Sequence, residues 1–125
     1  MPATSQPDIE IYLKDCTAAQ VHAWLRSLFA SCSDWHTAGR ISHCHCDGIH
    51  AVWYERAVGS WHSLLFDSAA TPWADDLACA RAAFAALGCE ARCAPGSWLE
   101  EQGEEAAARW LKVNRHGCQE FLWRT

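Results

Sequence analysis

The chain has 125 residues, half of them apolar, with 15 acidic against 10 basic residues, a net charge of -5, and eight Cys alongside eight Trp. That is the size of one domain, which can bury a single core without obligatory cross-links, and it excludes two full domains or a chain disordered throughout. No run approaches ~18 apolar residues and no four Lys or Arg stand close together, so neither a membrane span nor an electrostatic footprint for nucleic acid is expected.

Residues 1–7 lack periodicity and read as a tail, which leaves 8–125 as one domain. The opening MPATSQPD has neither the basic region nor the apolar stretch of an export signal. The expectation is therefore a cytoplasmic protein with reduced thiols rather than a disulfide framework. Ile9, Ile11 and Leu13 alternate with Glu10, Tyr12 and Lys14, the period of a half-buried strand. Thr17 and Gln20 fit a capping box, and Val21, Trp24, Leu25, Leu28 and Phe29 follow at helical spacing, predicting a helix over 18–30. Residues 31–40 read as a loop.

Residues 41–46 and 49–58 flank Asp47 and Gly48, a pair suited to a type I′ hairpin turn, and Gly59 with Ser60 suits a type II′ turn leading into a third strand over 61–67. Thr71 and Pro72 predict a second helix start, Trp73, Leu77, Ala80, Phe84 and Leu87 its buried stripe, and Gly88 its left-handed cap. Asp75 and Asp76 suit the positive end of that helix dipole better than paired-carboxylate catalysis. A short strand over 89–93, an acidic exposed segment over 100–105, and two strands over 109–113 and 118–123 complete the chain. This order predicts an α+β fold: a two-layer sandwich of a mostly antiparallel sheet with two helices on one face, in an elaborated ferredoxin-like arrangement.

Counting outward from Asp47 and Gly48 pairs Cys46 with Ile49, His45 with His50, Cys44 with Ala51 and His43 with Val52. Counting from Gly59 and Ser60 pairs Tyr54 with Leu65, Trp53 with Phe66 and Val52 with Asp67. One face then carries Cys44, Cys46, Ile49, Ala51, Trp53, Leu64 and Phe66 and belongs under the helices. The other carries His43, His45, His50, Tyr54, Arg56, Trp61 and Asp67.

His43, His45 and His50 could share zinc or another divalent transition metal, because imidazoles are borderline ligands and the three lie on one face. The plainer reading is a solvated polar face. Cys44 and Cys46 cannot join that set from a regular strand, since alternate side chains point to opposite faces. They and Cys79 are assigned to the core. Cys89 and Cys93 share a face but stand too far apart for an easy disulfide. No glycine-rich phosphate loop, H-E-x-x-H, G-x-S-x-G or C-x-x-C occurs.

Trp24, Trp53 and Trp73 fit buried stripes, whereas Trp61, Trp98, Trp110 and Trp123 are harder to hide. In the C-terminal hairpin Trp110 faces Phe121, while Leu111 and Leu122 share the other side. Exposed Trp, Tyr and Arg dominate interaction hot spots. The sequence therefore points to a non-catalytic binding or adaptor protein without a cofactor, using Tyr54, Arg56, Trp61, Trp98, Trp110, Phe121 and Trp123 to hold a protein, a second copy or a small apolar ligand. A metal-binding protein or metalloenzyme built on the His trio is the alternative. A third possibility is a hydrolase or transferase whose site forms between the helices and segments 31–40 and 94–105.

Overall fold

A computed structural model describes residues 8–68, 70–94 and 109–123. Strand β1 (Ile9–Leu13) leads to helix α1 (Ala18–Leu28), then β2 (His36–Ala38), β3 (Ile41–Cys46), β4 (Ile49–Val58) and β5 (Trp61–Phe66). Helix α2 (Asp76–Leu87), β6 (Ala91–Cys93), β7 (Arg109–Asn114) and β8 (Gly117–Leu122) follow. The eight strands form one sheet in the order β2-β3-β4-β5-β1-β6-β7-β8, antiparallel at each described pairing. The molecule is an α+β protein with one large antiparallel sheet and two helices. Among the described residues no helix is long and apolar enough to cross a membrane.

Alternation along β1 decides which side is buried. Ile9, Ile11 and Leu13 are fully covered and pair across the ladder with Phe66, Leu64 and His62. Cys44, Cys46, Ala51, Trp53, Ala91 and Cys93 project to the same side and join one cluster with Val21, Trp24 and Leu25 of α1 and Cys79, Ala80 and Ala83 of α2. Both helices thus supply the core of this one face. The capping box at Thr17 and Gln20 forms, with both reciprocal bonds in place.

The Asp47–Gly48 turn has positive φ at both positions, 51° and 84°, and the β3–β4 register is the one its closure dictates. At Gly59 φ is 58°, and Val58 pairs with Trp61 across that turn. Beyond it the register departs from the simple count. Glu55, Arg56 and Ala57 stand opposite His62 alone, so Trp53 pairs with Leu64, Tyr54 with Ser63 and Val52 with Leu65. The bulge is held by the Arg56 N–H donating to His62 Nδ1 at 2.9 Å and the Glu55 N–H donating to the Arg40 carbonyl at 2.7 Å. Arg56 takes a left-handed φ of 51° to do so. Because the slip is two residues, no side chain changes face.

Two further boundaries differ from the sequence reading. The second helix starts at Asp76, capped by Asp75, whose carboxylate accepts the Ala78 N–H at 2.8 Å, rather than at Thr71. Residues 71–74 instead carry Trp73 against Phe66 at 5.1 Å and Trp24 at 5.7 Å between ring centroids, closing the core between sheet and α1. Segment 31–40 contains β2, and Cys32 forms an isolated bridge with Cys46.

β6 pairs with β1 only at Tyr12 and Leu13, so the β6-side edge of β1 is open at Glu10, where Asp76 accepts the backbone N–H at 3.2 Å. Burial first, and then the charge of Glu10, push the Asp76 carboxyl up from 3.8 to about 6, against the pull of that N–H. The folded chain therefore holds this proton more tightly than the unfolded chain. The stability it contributes is fully present below about pH 4 and is lost as pH rises through about 6. Asp76→Asn is expected to keep the acceptor and remove that decline. Urea midpoints measured between pH 4 and 7 should fall less with pH in the variant than in the parent.

Candidate functional site

Side chains at even positions of β1 and β6 point away from the helices. One row across the sheet reads Tyr54, Ser63, Tyr12, Arg92, Lys112, Gln119 through successive partners. Trp110 and Phe121 pair in the adjoining row. Trp61, at the start of β5, and Trp123, just beyond β8, complete a group of five aromatic rings, three of which pack on one guanidinium.

Arg92 lies 4.0 Å from the Trp61 ring centroid, 4.5 Å from Phe121 and 4.6 Å from Trp123. Trp123 also meets Tyr12 at 5.4 Å, Trp110 at 5.0 Å and Trp61 at 5.6 Å. Four strand spacings separate β5 from β8, roughly 19 Å in a flat sheet. A contact between Trp61 and Trp123 therefore requires the sheet to curl toward this side and the chain after β8 to turn back across it. The result is an aromatic cup closed over Arg92.

The electrostatics follow from that enclosure. Burial lowers the Arg92 pKa, opposed by the Glu90 carboxylate, whose Oε2 lies 3.5 Å from Nε. A guanidinium tolerates this and stays charged, because it is weakly hydrated and its flat face stacks on rings. Lys14 sits 5.7 Å over Trp61 and Lys112 5.4 Å over Phe121. Burial, with the nearby Glu10 carboxylate, pushes the Tyr12 phenol up to about 12, so it remains a neutral donor. Three cations, Lys14, Arg92 and Lys112, thus lie over the rings of the cup, with Glu90 and Glu10 beside them.

The expected binding residues are thus partly brought together. Trp61, Trp110, Phe121 and Trp123 belong to the cup. Trp61 is only 8% exposed, covered by Arg92 and Trp123, so the expectation that it is hard to hide is corrected. Tyr54, 37% exposed, lies along the row from Tyr12 under the Arg40 guanidinium at 5.6 Å, and Arg56 is exposed on the bulge. Trp98 and the 100–105 acidic segment lie outside the described residues. Sequence reasoning missed Tyr12 and Arg92, although β1 alternation and the inward Ala91 and Cys93 on either side of Arg92 carry the signal.

The His trio occupies the same side of the sheet on the β3–β4 hairpin. His43 and His50 stack at 5.1 Å with planes 9° apart, His45 and His50 at 5.1 Å and 19°. Nδ1 of His43 lies 2.9 Å from Nε2 of His50, so these two rings bond each other, and His50 Nδ1 is 4.0 Å from Asp67 Oδ2. Among the described residues no three or more His, Cys, Asp or Glu side chains are disposed to hold a metal ion.

Two other locations were candidates. A groove of about 380 Å³ between the helices is lined by Gln20, Ala23, Trp24, Ser27, Ala86 and Leu87. The Ser27 hydroxyl there already donates to the Trp24 carbonyl at 2.6 Å. His62, stacked on Trp53 at 4.8 Å, accepts the Arg56 N–H and holds the bulge. No protein-family model, curated protein or solved structure matches this chain.

The cup makes a direct prediction. Arg92→Ala leaves three rings without the cation they enclose and should lower stability by about 2–4 kcal/mol. Arg92→Lys should recover less than half of that loss, because an ammonium cannot stack flat against several rings at once. Chemical denaturation of the three proteins checks both statements.

Proposed function

We propose that this chain is a non-catalytic binding or adaptor protein. In this reading it is a two-layer sandwich of elaborated ferredoxin-like type, with the helices over one face of the sheet and the other face holding its ligand. The observation that carries the proposal is the gathering of Tyr12, Trp61, Trp110, Phe121 and Trp123 around Arg92 on the side away from both helices. Aromatic rings with an arginine are the side chains that most often anchor protein interfaces, since they offer large apolar area at low entropic cost.

The ligand is a protein, most simply a second copy of the chain in a symmetric dimer, because the same patch then covers itself. A small apolar ligand bearing negative charge is the other use of this surface, favoured by the cationic ring of Lys14, Arg92 and Lys112. Eight unpaired thiols suit a reducing compartment, and the proposed setting is the cytoplasm. A metal role for His43, His45 and His50 ranks below this reading, because two of the rings spend a nitrogen on each other.

Native mass spectrometry of the untagged protein, grown with added zinc and diluted from micromolar to nanomolar concentration, is the test. A dimer that Trp110→Asp converts to a monomer supports self-association. A monomer whose Trp61, Trp110 and Trp123 indole resonances shift with indole-3-acetate supports the small-ligand form. A monomer with unmoved indoles overturns the proposal, and one equivalent of zinc lost in His43→Ala would replace it with the metal reading.

A further inference from the structure

Three thiols lie in line at the outer end of β3. Cys32 and Cys46 are partners in an antiparallel bridge, with Ser33 N–H donating to the His45 carbonyl at 2.9 Å and Asp47 N–H donating to the Ser31 carbonyl at 2.8 Å. Those bonds flank the pair rather than join it, so Cys32 and Cys46 form a non-hydrogen-bonded cross-strand pair. Such residues have Cα atoms about 4.5 Å apart, within the range of roughly 4.4–6.8 Å that a disulfide spans. On the other side of Cys46, the Cys44 sulfur lies 4.0 Å away.

The segment carrying Cys32 is a strap laid on the hairpin. Asp47 accepts the N–H groups of Ala30 and Ser31 at 3.1 and 2.8 Å, and the Ser33 hydroxyl accepts the His45 N–H at 2.9 Å. Cys32 itself is half-buried between exposed neighbours, whereas Cys44 and Cys46 are buried in the core.

We infer that Cys32 and Cys46 are a reversible oxidation site, at which hydrogen peroxide converts the two thiols into a disulfide that latches the strap to β3. Peroxide reaches the accessible Cys32, whose thiolate attacks one oxygen. The O–O bond breaks, hydroxide leaves, and a sulfenic acid forms. The Cys46 sulfur then attacks the Cys32 sulfur, the S–S bond forms, the S–O bond breaks, and water leaves with the Cys46 proton. Two electrons pass from sulfur to peroxide, and two waters result. A small thiol reductant reverses the reaction.

The order of events follows from the surroundings. Burial, and for Cys46 also its bond to the Cys32 thiol, push the Cys44 and Cys46 thiols up, which leaves them poor first targets. The other neighbouring pair, Cys16 and Cys89, is buried at both members, which limits the access of peroxide even though the bond from Cys16 lowers the Cys89 thiol.

The full chain, reduced, is treated with graded hydrogen peroxide, alkylated after denaturation and mapped with trypsin without reduction. Two of the eight thiols should be lost, with tryptic peptides 27–40 and 41–56 joined. Cys44→Ala should leave that link intact, and Cys32→Ser should abolish it without loss of the fold. The oxidised form should melt about 5–10 °C higher, since the bond closes a loop of about 15 residues. A link lost in Cys44→Ala, a link between peptides 15–26 and 82–92 formed first, or retention of all eight thiols would overturn the inference.

Discussion

The parity of one strand governs both faces of this molecule. β1 comes first in the described chain but lies fifth in the sheet, between β5 and β6, where it joins the β2–β5 block to the β6–β8 block. Its odd residues, Ile9, Ile11 and Leu13, form the floor of the core, and its even residues set Tyr12 beside Arg92 on the opposite side. A slip of one residue would exchange these sets, exposing two Ile and a Leu while driving Glu10 and Lys14 under the helices. Such a slip costs several kcal/mol for each buried charge, so the register is strongly specified.

What was legible in the sequence follows the range of the interactions concerned. The β3–β4 hairpin register, the capping box at Thr17 and the left-handed cap at Gly88 depend on residues a few positions apart, and local chemistry determines them. The helix start at Asp76 was misplaced because Thr71 and Pro72 satisfy the same local rule. Tertiary contacts chose between them: Trp73 is needed between Trp24 and Phe66, outside any helix. The β4 bulge was invisible for a similar reason, since its stabilising acceptors come from His62 of β5 and from Arg40 in the β2–β3 turn. β2 was hidden in a segment with no alternation, although Gly39, at φ 64°, marks the turn that pairs it with β3.

The candidate site was half legible for a reason that lies in sheet curvature. Strand alternation puts Trp61 on the side away from the helices and pairs Trp110 with Phe121 on one face of the last hairpin, without saying which. It could not bring together strands β5 and β8, which belong to different hairpins and meet only because the sheet coils. Arg92 shows the same limit: its position on a three-residue strand is unremarkable until rings from β5, from β8 and from the residue after it close over it.

Curvature also divides the open face into two chemical environments. Toward β8, buried and half-buried rings pack on a cation, so electrostatic interactions there are less screened than at a bare surface. Toward β3, the His43 and His45 rings each stack on His50, and Asp67 lies beside that central ring. The row from Tyr54 through Ser63 to Tyr12 connects the two, and Ser63 binds the Glu10 carboxylate at 2.8 Å in its middle. That carboxylate adds to the burial that raises Tyr12, and the backbone N–H of the same residue donates to Asp76 at the start of α2. Glu10 thus meets the open face through its side chain, at Ser63, and the start of α2 through its backbone N–H, at Asp76.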